Sequence, residues 1–227
     1  MFRTDAHFLI GNQHTRQGMP CQDYALASTV GNSAYAIVSD GCSSGGSTDV
    51  GARLVALTTS KLIQEALQTD DFSPEILPEM LAARDIQLQQ VKNELGLTTN
   101  DMLASCLHAI ATPWVSYVHV HGDGVVILPF EDGKQVHAFD WDNTPFYPAY
   151  NWARKDGFMS HHSEQGSSLK QTLYTFEGDS TTPSTELEYQ YQIEEGIAGI
   201  TLDIPNQPHA NFGKLKQIAL FSDGLEQ

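Results

Sequence analysis

DYALASTVGNSAYAIVSDG, residues 23–41, reads as two short strands folded back on each other. Gly31-Asn32 between them supplies the backbone freedom that a two-residue hairpin loop requires, so the chain enters its fold as antiparallel β. The second strand, SAYAIVSD (33–40), is nearly unbroken in apolar content, as expected of a central strand covered on both faces. It ends in Ser-Asp-Gly, and IALFSDG (218–224) ends in the same way. A buried strand fixes its own terminus and the glycine lets the backbone turn away, so each copy delivers a carboxylate at a rigid strand end.

Beyond a Gly/Ser loop at 41–47, the segment 48–68 repeats apolar residues at helical spacing. Val50, Leu54 and Leu57 form one stripe, Val55, Leu62 and Ala66 lie beside it, and Thr48 or Asp49 is the expected cap. Ser73-Pro74-Glu75 announces a second helix, with Ser73 capping free N–H groups, Pro74 presetting the first turn and Glu75 complementing the dipole, although Pro78 leaves a start one turn later open. Its stripe runs Ile76, Met80, Ala83, Leu88, Val91 and Leu95 and stops at Gly96. Consecutive amphipathic helices between strands imply a helical layer on a sheet. Strands resume after Leu103, and WVSYVHVHGDGVVILPF (114–130) reads as a hairpin turning at Gly122-Asp123-Gly124. Residues 141–169 lack clean periodicity and are expected to form an irregular loop or flap over the sheet, of a kind that often touches substrate, with later strands at 170–177, 185–193 and 215–222. No internal repeat or interdomain linker interrupts the chain, so one domain over 1–227 is expected.

At 227 residues the chain can bury a substantial core. Its 28 Asp and Glu against 12 Lys and Arg leave a formal net charge of −16, a field that repels nucleic acid, and the few cations are scattered rather than patched. An acidic excess suits a cluster of carboxylates that takes hard cations. Cys21, Cys42 and Cys106 form no C-x-x-C pair and offer no complete disulfide framework, which points to a reducing compartment. The start, MFRTDAHFLIGNQ, lacks a signal-peptide core and the composition suggests no membrane span, so a cytoplasmic protein without a membrane partner is expected.

Asp23 begins one strand, while Asp40 and Asp223 end two others far apart in sequence. Meeting at one end of a sheet, they would form a site for Mg²⁺ or Mn²⁺, which prefer oxygen ligands, and a pair of such ions activates a bridging water for in-line attack on phosphorus. Each Asp-Gly pair also reads as a plain turn; at Asp123, with glycine on both sides, turn and metal ligand stay open as alternatives.

In order and spacing, HTRQGMPCQDYAL (14–26), AIVSDGCSSGGSTDVGARLV (36–55), HGDGVV (121–126) and IALFSDG (218–224) resemble the successive motifs of PP2C phosphatases, in particular bacterial members. The resemblance implies an α+β fold, a four-layer α-β-β-α sandwich of two antiparallel sheets flanked by helices. It implies metal-dependent hydrolysis of phosphoserine or phosphothreonine in proteins through a metal-bridging water, with two Mn²⁺ or Mg²⁺ ions per site and a phosphorylated protein as substrate; a monomer is expected. By the same resemblance, Asp40 matches the aspartate bridging both metals, Gly41 lends its backbone carbonyl, Asp223 ligates one metal, Asp23 is an acidic partner at the metal site, and Asp123 looks like an accessory third-metal ligand. Asp40, Asp223 and Asp23 are the implied catalytic set.

The sequence also departs from the family pattern. Cys42 stands where many eukaryotic relatives carry a histidine thought to protonate the leaving group; with no cysteine-phosphatase loop and arginine after it, it reads as a small side chain rather than a nucleophile. Gly18 replaces a phosphate-gripping arginine, which leaves Arg16, with His14 similarly placed, as the substrate-binding candidates; a solvated arginine and a locally hydrogen-bonded histidine are the plain alternatives. The sequence stops at SDGLEQ, short of the family's last aspartate, and Gln227 replaces an acid expected four residues after Asp223. A phosphatase domain lacking its C-terminal end is therefore expected, with a metal- or phosphoprotein-binding module without turnover, a pseudophosphatase, as the alternative. A haloacid-dehalogenase-type loop is set aside because it needs a second aspartate where Cys42 stands.

Overall fold

The computed structural model describes residues 2–68, 72–142, 144–153, 169–192, 198–205 and 207–222. In chain order the elements are α1 (Asn12–Gln17), β1 (Asp23–Val30), β2 (Ser33–Asp40), α2 (Thr48–Leu67), α3 (Leu77–Glu94), β3 (Cys106–Ala111), β4 (Val115–His121), β5 (Gly124–Pro129), β6 (Gly133–Asp140), β7 (Leu169–Glu177), β8 (Thr185–Tyr191), β9 (Ile200–Pro205) and β10 (Ala219–Phe221). The expected hairpin forms: β1 pairs antiparallel with β2 from Asp23 opposite Asp40 to Val30 opposite Ser33, and Gly31 takes the turn at φ 56°. Two five-stranded antiparallel sheets follow, ordered β1-β2-β3-β4-β9 and β10-β5-β6-β7-β8. The α+β sandwich of antiparallel sheets is thus present, with α2 and α3 as the helical layer on the first sheet.

Alternation along β3 and β4 divides the interior in two. Cys106, Ile110 and Tyr117 face the helices, in a core with Tyr35, Ile37, Val55, Ile63 and Leu88. Leu107, Ala109, Val118 and Val120 face the other sheet, in a core with Val126, Leu128, Phe139 and Trp141. On the outer side of the second sheet, cross-strand pairing aligns Ala219, Ile127, Val136 and Tyr174, all half-buried.

Gly122-Asp123-Gly124 is not a hairpin turn. β4 pairs with β3 and β9, β5 pairs with β6 and β10, and the three residues carry the chain from one sheet to the other. Both glycines are required: Gly122 (φ 102°) would bring a Cβ within 2.7 Å of the Ser105 Cβ, and Gly124 (φ 142°) within 2.7 Å of the Phe221 carbonyl oxygen.

The helices differ from expectation in which face they bury. α2 turns Gly51, Ala52, Val55, Ala56, Thr59, Leu62 and Ile63 inward, and Leu57 of the expected stripe is 51% exposed. The reason is close approach: a Cβ on Gly51 would lie 2.0 Å from the Asp101 carbonyl oxygen, so small residues rather than large ones mark the contact. Ser47 takes the cap position of α2 without a side-chain bond, and its N–H donates instead to the Asp101 carboxylate at 2.6 Å. Ahead of α3, Ser73 accepts from the Glu75 N–H and a single 3-10 turn spans Pro74–Ile76, so the helix proper starts at Leu77. It ends as expected at Gly96, where the Gly96 and Leu97 N–H groups donate to the Asn93 and Lys92 carbonyls. Leu95 is nevertheless 59% exposed, and a guanidinium, Arg84, takes a buried position on that helix.

Part of the expected flap at 141–169 is core. Trp141, Phe146 and Ala149 are fully buried, and a 3-10 turn spans Pro148–Asn151; residues 154–168 lie outside the described residues. Of the strands expected late in the chain, β7 and β8 match closely, while the last shrinks to Ala219–Phe221. β6 and β9 are strands that the sequence pattern does not announce.

Candidate active site

Asp23 and Asp40 are Cα partners on the last paired rung of the β1–β2 ladder. One step on, the Gly41 N–H donates to the Gln22 carbonyl at 3.2 Å, which makes the Asp23–Asp40 rung the non-hydrogen-bonded kind, with Cα atoms about 4.5 Å apart. Both residues are half-buried. Two like charges directly opposed repel, and more strongly as water is removed.

The strand end that carries Asp40 is held from the neighbouring strand. Ser105 donates its backbone N–H to the Asp40 carbonyl at 2.8 Å, its hydroxyl accepts from the Asp40 N–H at 3.2 Å, and the Ser39 hydroxyl donates to the Ser105 carbonyl at 2.7 Å. Gly41 then turns against Thr48, where an added Cβ would come within 2.6 Å of the Thr48 carbonyl oxygen. The loop after it is pinned by α2 and by Asp101. Thr48 donates its hydroxyl to the Cys42 carbonyl at 3.0 Å and accepts from the Gln22 amide at 2.7 Å. Asp101 accepts from the Ser47 N–H, the Thr98 N–H and the Thr98 hydroxyl. The Thr98 hydroxyl, followed by those N–H groups, holds the Asp101 carboxyl below its ordinary range.

Asp123 arrives from the other side. The glycine before it rests on Ser105, the residue that clamps Asp40, and Gly124 rests on Phe221 of β10. Asp40, Asp123 and Asp23 therefore sit at one end of the sandwich. Tyr147 feels the charge of both Asp123 and Asp40, and Cys21 that of Asp23 and Asp40. Burial, ahead of those charges, raises the Cys21 thiol; its S–H donates to the Asp23 carbonyl at 3.6 Å. Asp223 and Gly224 lie outside the described residues, two and three positions past the end of β10. Among the described residues no group of three or more His, Cys, Asp or Glu is placed to hold a metal ion. The donors that are placed, opposed carboxylates beside a glycine whose carbonyl is unshielded by a side chain, are oxygen ligands of the kind hard divalent cations take.

The candidate substrate-binding residues, Arg16 and His14, occupy the last turn of α1, a short helix closed by Gly18 (φ 67°). Arg16 is exposed and His14 half-buried. A cation that the sequence reading passes over, Arg53 of α2, stands 5.8 Å from the centre of the Tyr24 ring, pairs with Asp49 at 3.2 Å and acts on Cys21. Setting a serine esterase aside because the sequence holds no G-x-S-x-G is mistaken on the motif, since Gly41-Cys42-Ser43-Ser44-Gly45 spells it. Ser43 is exposed in an open turn well ahead of α2, and no described histidine hydrogen-bonds to it, so the elbow geometry of a serine esterase is missing among the described residues.

The molecule is thus an antiparallel β sandwich with a helical layer and an acidic end where strand termini converge. The sequence profile described as Protein phosphatase 2C matches residues 10–227, and the chain belongs to that family: it is a protein phosphatase by descent. No curated protein matches it. Among solved structures it is similar to a bacterial serine phosphatase (10% identity, TM-score 0.42, covering 89% of this chain and 68% of that one). It is also similar to the S. agalactiae serine/threonine phosphatase (13%, 0.40, 89% and 69%) and to a chain from the bacterial stressosome (12%, 0.35, 52% and 69%).

Proposed function

We propose that this chain hydrolyses phosphoserine or phosphothreonine in proteins, with Mn²⁺ or Mg²⁺ held at the acidic end of the sandwich. The observation that carries the reading is the direct opposition of Asp23 and Asp40. Folding forces their charges together at a cost that a divalent cation between them offsets. When bound, the cations supply an acidified water as nucleophile and offset the charge on the phosphoryl oxygens.

The chain's own residues prepare that chemistry. Asp40, on a strand end that Ser105 fixes, would be the ligand shared by both ions, Gly41 would offer its carbonyl, and Asp23 faces Asp40 from β1. Asp223 would complete the set, and Asp123 would serve an accessory ion. Arg16 and His14 receive the phosphate from the segment that feeds β1. The setting is the cytoplasm of a bacterial cell, on the strength of the cysteine usage, with the domain acting as a monomer; no described helix is long and apolar enough to cross a membrane.

The test is phosphate release from a phosphothreonine peptide in Mn²⁺. Activity that chelation abolishes and D40N lowers on the order of a hundredfold or more supports turnover. Mn²⁺ binding with no phosphate release selects the pseudophosphatase reading, which the exposure of Arg16 favours.

A further inference from the structure

The pairing of β2 with its neighbours does not stop at Asp40. The Cys42 N–H donates to the Leu103 carbonyl at 2.8 Å, as the Ser105 N–H does to the Asp40 carbonyl two residues earlier, and on the other side the Gly41 N–H donates to the Gln22 carbonyl at 3.2 Å. The chain therefore stays extended through Cys42, in register with both neighbours. Counting on from Asp23 opposite Asp40 and Gln22 opposite Gly41 sets Cys21 opposite Cys42.

The rung between the aspartates and the cysteines shows which way each pair points. Gln22 donates its side-chain amide to the Thr48 hydroxyl at 2.7 Å, and a Cβ on Gly41 would meet the Thr48 carbonyl oxygen, so this rung faces α2. Side chains alternate along a strand, so Asp23–Asp40 and Cys21–Cys42 both point to the opposite face. The cysteine rung is also the non-hydrogen-bonded kind, with Cα atoms about 4.5 Å apart, inside the roughly 4.4–6.8 Å that a disulfide spans. Both thiols are free and half-buried. The Cys21 S–H donates to the Asp23 carbonyl at 3.6 Å, and the Cys42 sulfur shares a hydrogen bond with the Ser44 hydroxyl at 3.2 Å, in a turn where Ser43 and Ser44 are exposed. Rotation about the two Cα–Cβ bonds turns the sulfurs from these partners to each other. Cys106, fully buried under the helices, has no such access.

We propose that Cys21 and Cys42 form a reversible disulfide, made by peroxide, that switches the site off by clamping the strand ends carrying Asp23, Asp40 and Gly41. The inference rests on the functional reading above for what is switched. Cys42, beside the open turn, meets the oxidant: its sulfur attacks one peroxide oxygen, the O–O bond breaks, and a sulfenic acid forms as water leaves. The Cys21 sulfur then attacks the Cys42 sulfur, the S–S bond forms and a second water leaves. The two thiols have given up two electrons and two protons, and the peroxide has become two waters. The clamp draws the strands together at Gly41, where ladder geometry offers its carbonyl to the Gln22 N–H instead of to a cation.

The reduced chain is treated with hydrogen peroxide and digested with a protease that cuts at aspartate. Asp23 and Asp40 lie between the two cysteines, so their peptides stay joined only through a disulfide. The expected result is that joined pair within a single chain, with Cys106 unmodified, together with a tenfold or larger weakening of Mn²⁺ binding by calorimetry that dithiothreitol reverses. C21A and C42A are each expected to form no joined pair and to hold Mn²⁺ within twofold of the reduced natural sequence, before and after peroxide. Absence of the joined pair, a pair joined between two chains, or a joined pair with full Mn²⁺ affinity would overturn the inference. A loss in C21A as large as in the natural sequence overturns it too, since oxidation of Cys42 alone would then suffice. If a variant folds poorly, the peptide map and Mn²⁺ affinity of the natural sequence still decide. Failure of the functional reading is separable: D40N would then bind Mn²⁺ as tightly as the reduced natural sequence, while the peptide map reads the disulfide regardless.

Discussion

Asp23 and Asp40 face each other across a rung where the strands approach most closely, and neither is fully in water. In the absence of metal the pair is a local fault in the sheet, of the order of 0.2–1 kcal/mol for directly opposed like charges. D40N is accordingly expected to unfold at a higher temperature than the natural sequence in chelator and at a lower one in saturating Mn²⁺, a reversal readable by calorimetry. A variant less stable under both conditions would mean that the carboxylates do not repel each other in the fold. Asp40 was legible as a candidate because Ser-Asp-Gly at the end of an apolar strand is a local pattern. Ser105 was not. It reaches the site because β3 lies alongside β2, a pairing made far away in sequence, and nothing in the letters around it encodes that contact.

At the scale of elements, β3 and β4 place His108, His119 and His121 on the face that α3 covers. Ring centres are 5.2 Å apart between His108 and His119 and 6.2 Å between His119 and His121. His119 Nδ1 lies 3.0 Å from the Thr201 hydroxyl, and Arg84 Nη2 lies 3.4 Å from His121 Nδ1, with Asp85 paired to that guanidinium. Burial first, then the positive charge of Arg84 and the neighbouring rings, holds all three neutral, with His119 pushed down to about 3. Between the sheets, burial pushes His137 down to about 4, and the Gln171 amide lies 2.8 Å from its Nδ1. Folded values below the unfolded 6.5 mean that the unfolded chain takes up protons first. The stability tied to neutral rings is complete above that pH and is lost as pH falls from there towards 4 and 3, at up to about 1.4 kcal/mol per histidine per pH unit. The urea midpoint should therefore fall between pH 7 and pH 4.5, and an unchanged midpoint would show the rings to be solvated. Elements were legible where a pattern has one meaning. The 23–41 hairpin and the Gly96 stop are such cases. Gly122-Asp123-Gly124 was misread because a glycine turn between alternating strands looks the same whether the chain pairs back or crosses to a second sheet. On α2 the contact face is built from Gly, Ala and Thr, which a search for large apolar residues passes over.

For the molecule as a whole, the sandwich brings three sequence-distant segments, 21–23, 40–42 and 122–124, to one end and leaves the helical layer to stiffen the sheet behind them. The acidic excess then works for the site rather than against it, since a chain with a net charge of −16 draws divalent cations towards an end already rich in carboxylates. Family membership and sheet topology agree with this division of labour, in which a rigid scaffold presents ligands and the reacting parts come from elsewhere. The most direct test is a crystal soaked in Mn²⁺ and measured at the manganese edge. The account predicts an anomalous peak at roughly 2.0–2.3 Å from a carboxylate oxygen of Asp40, with Asp23 on its far side and the peak lost in D40N. Well-ordered Asp23 and Asp40 with no peak within ligand distance of either would contradict it.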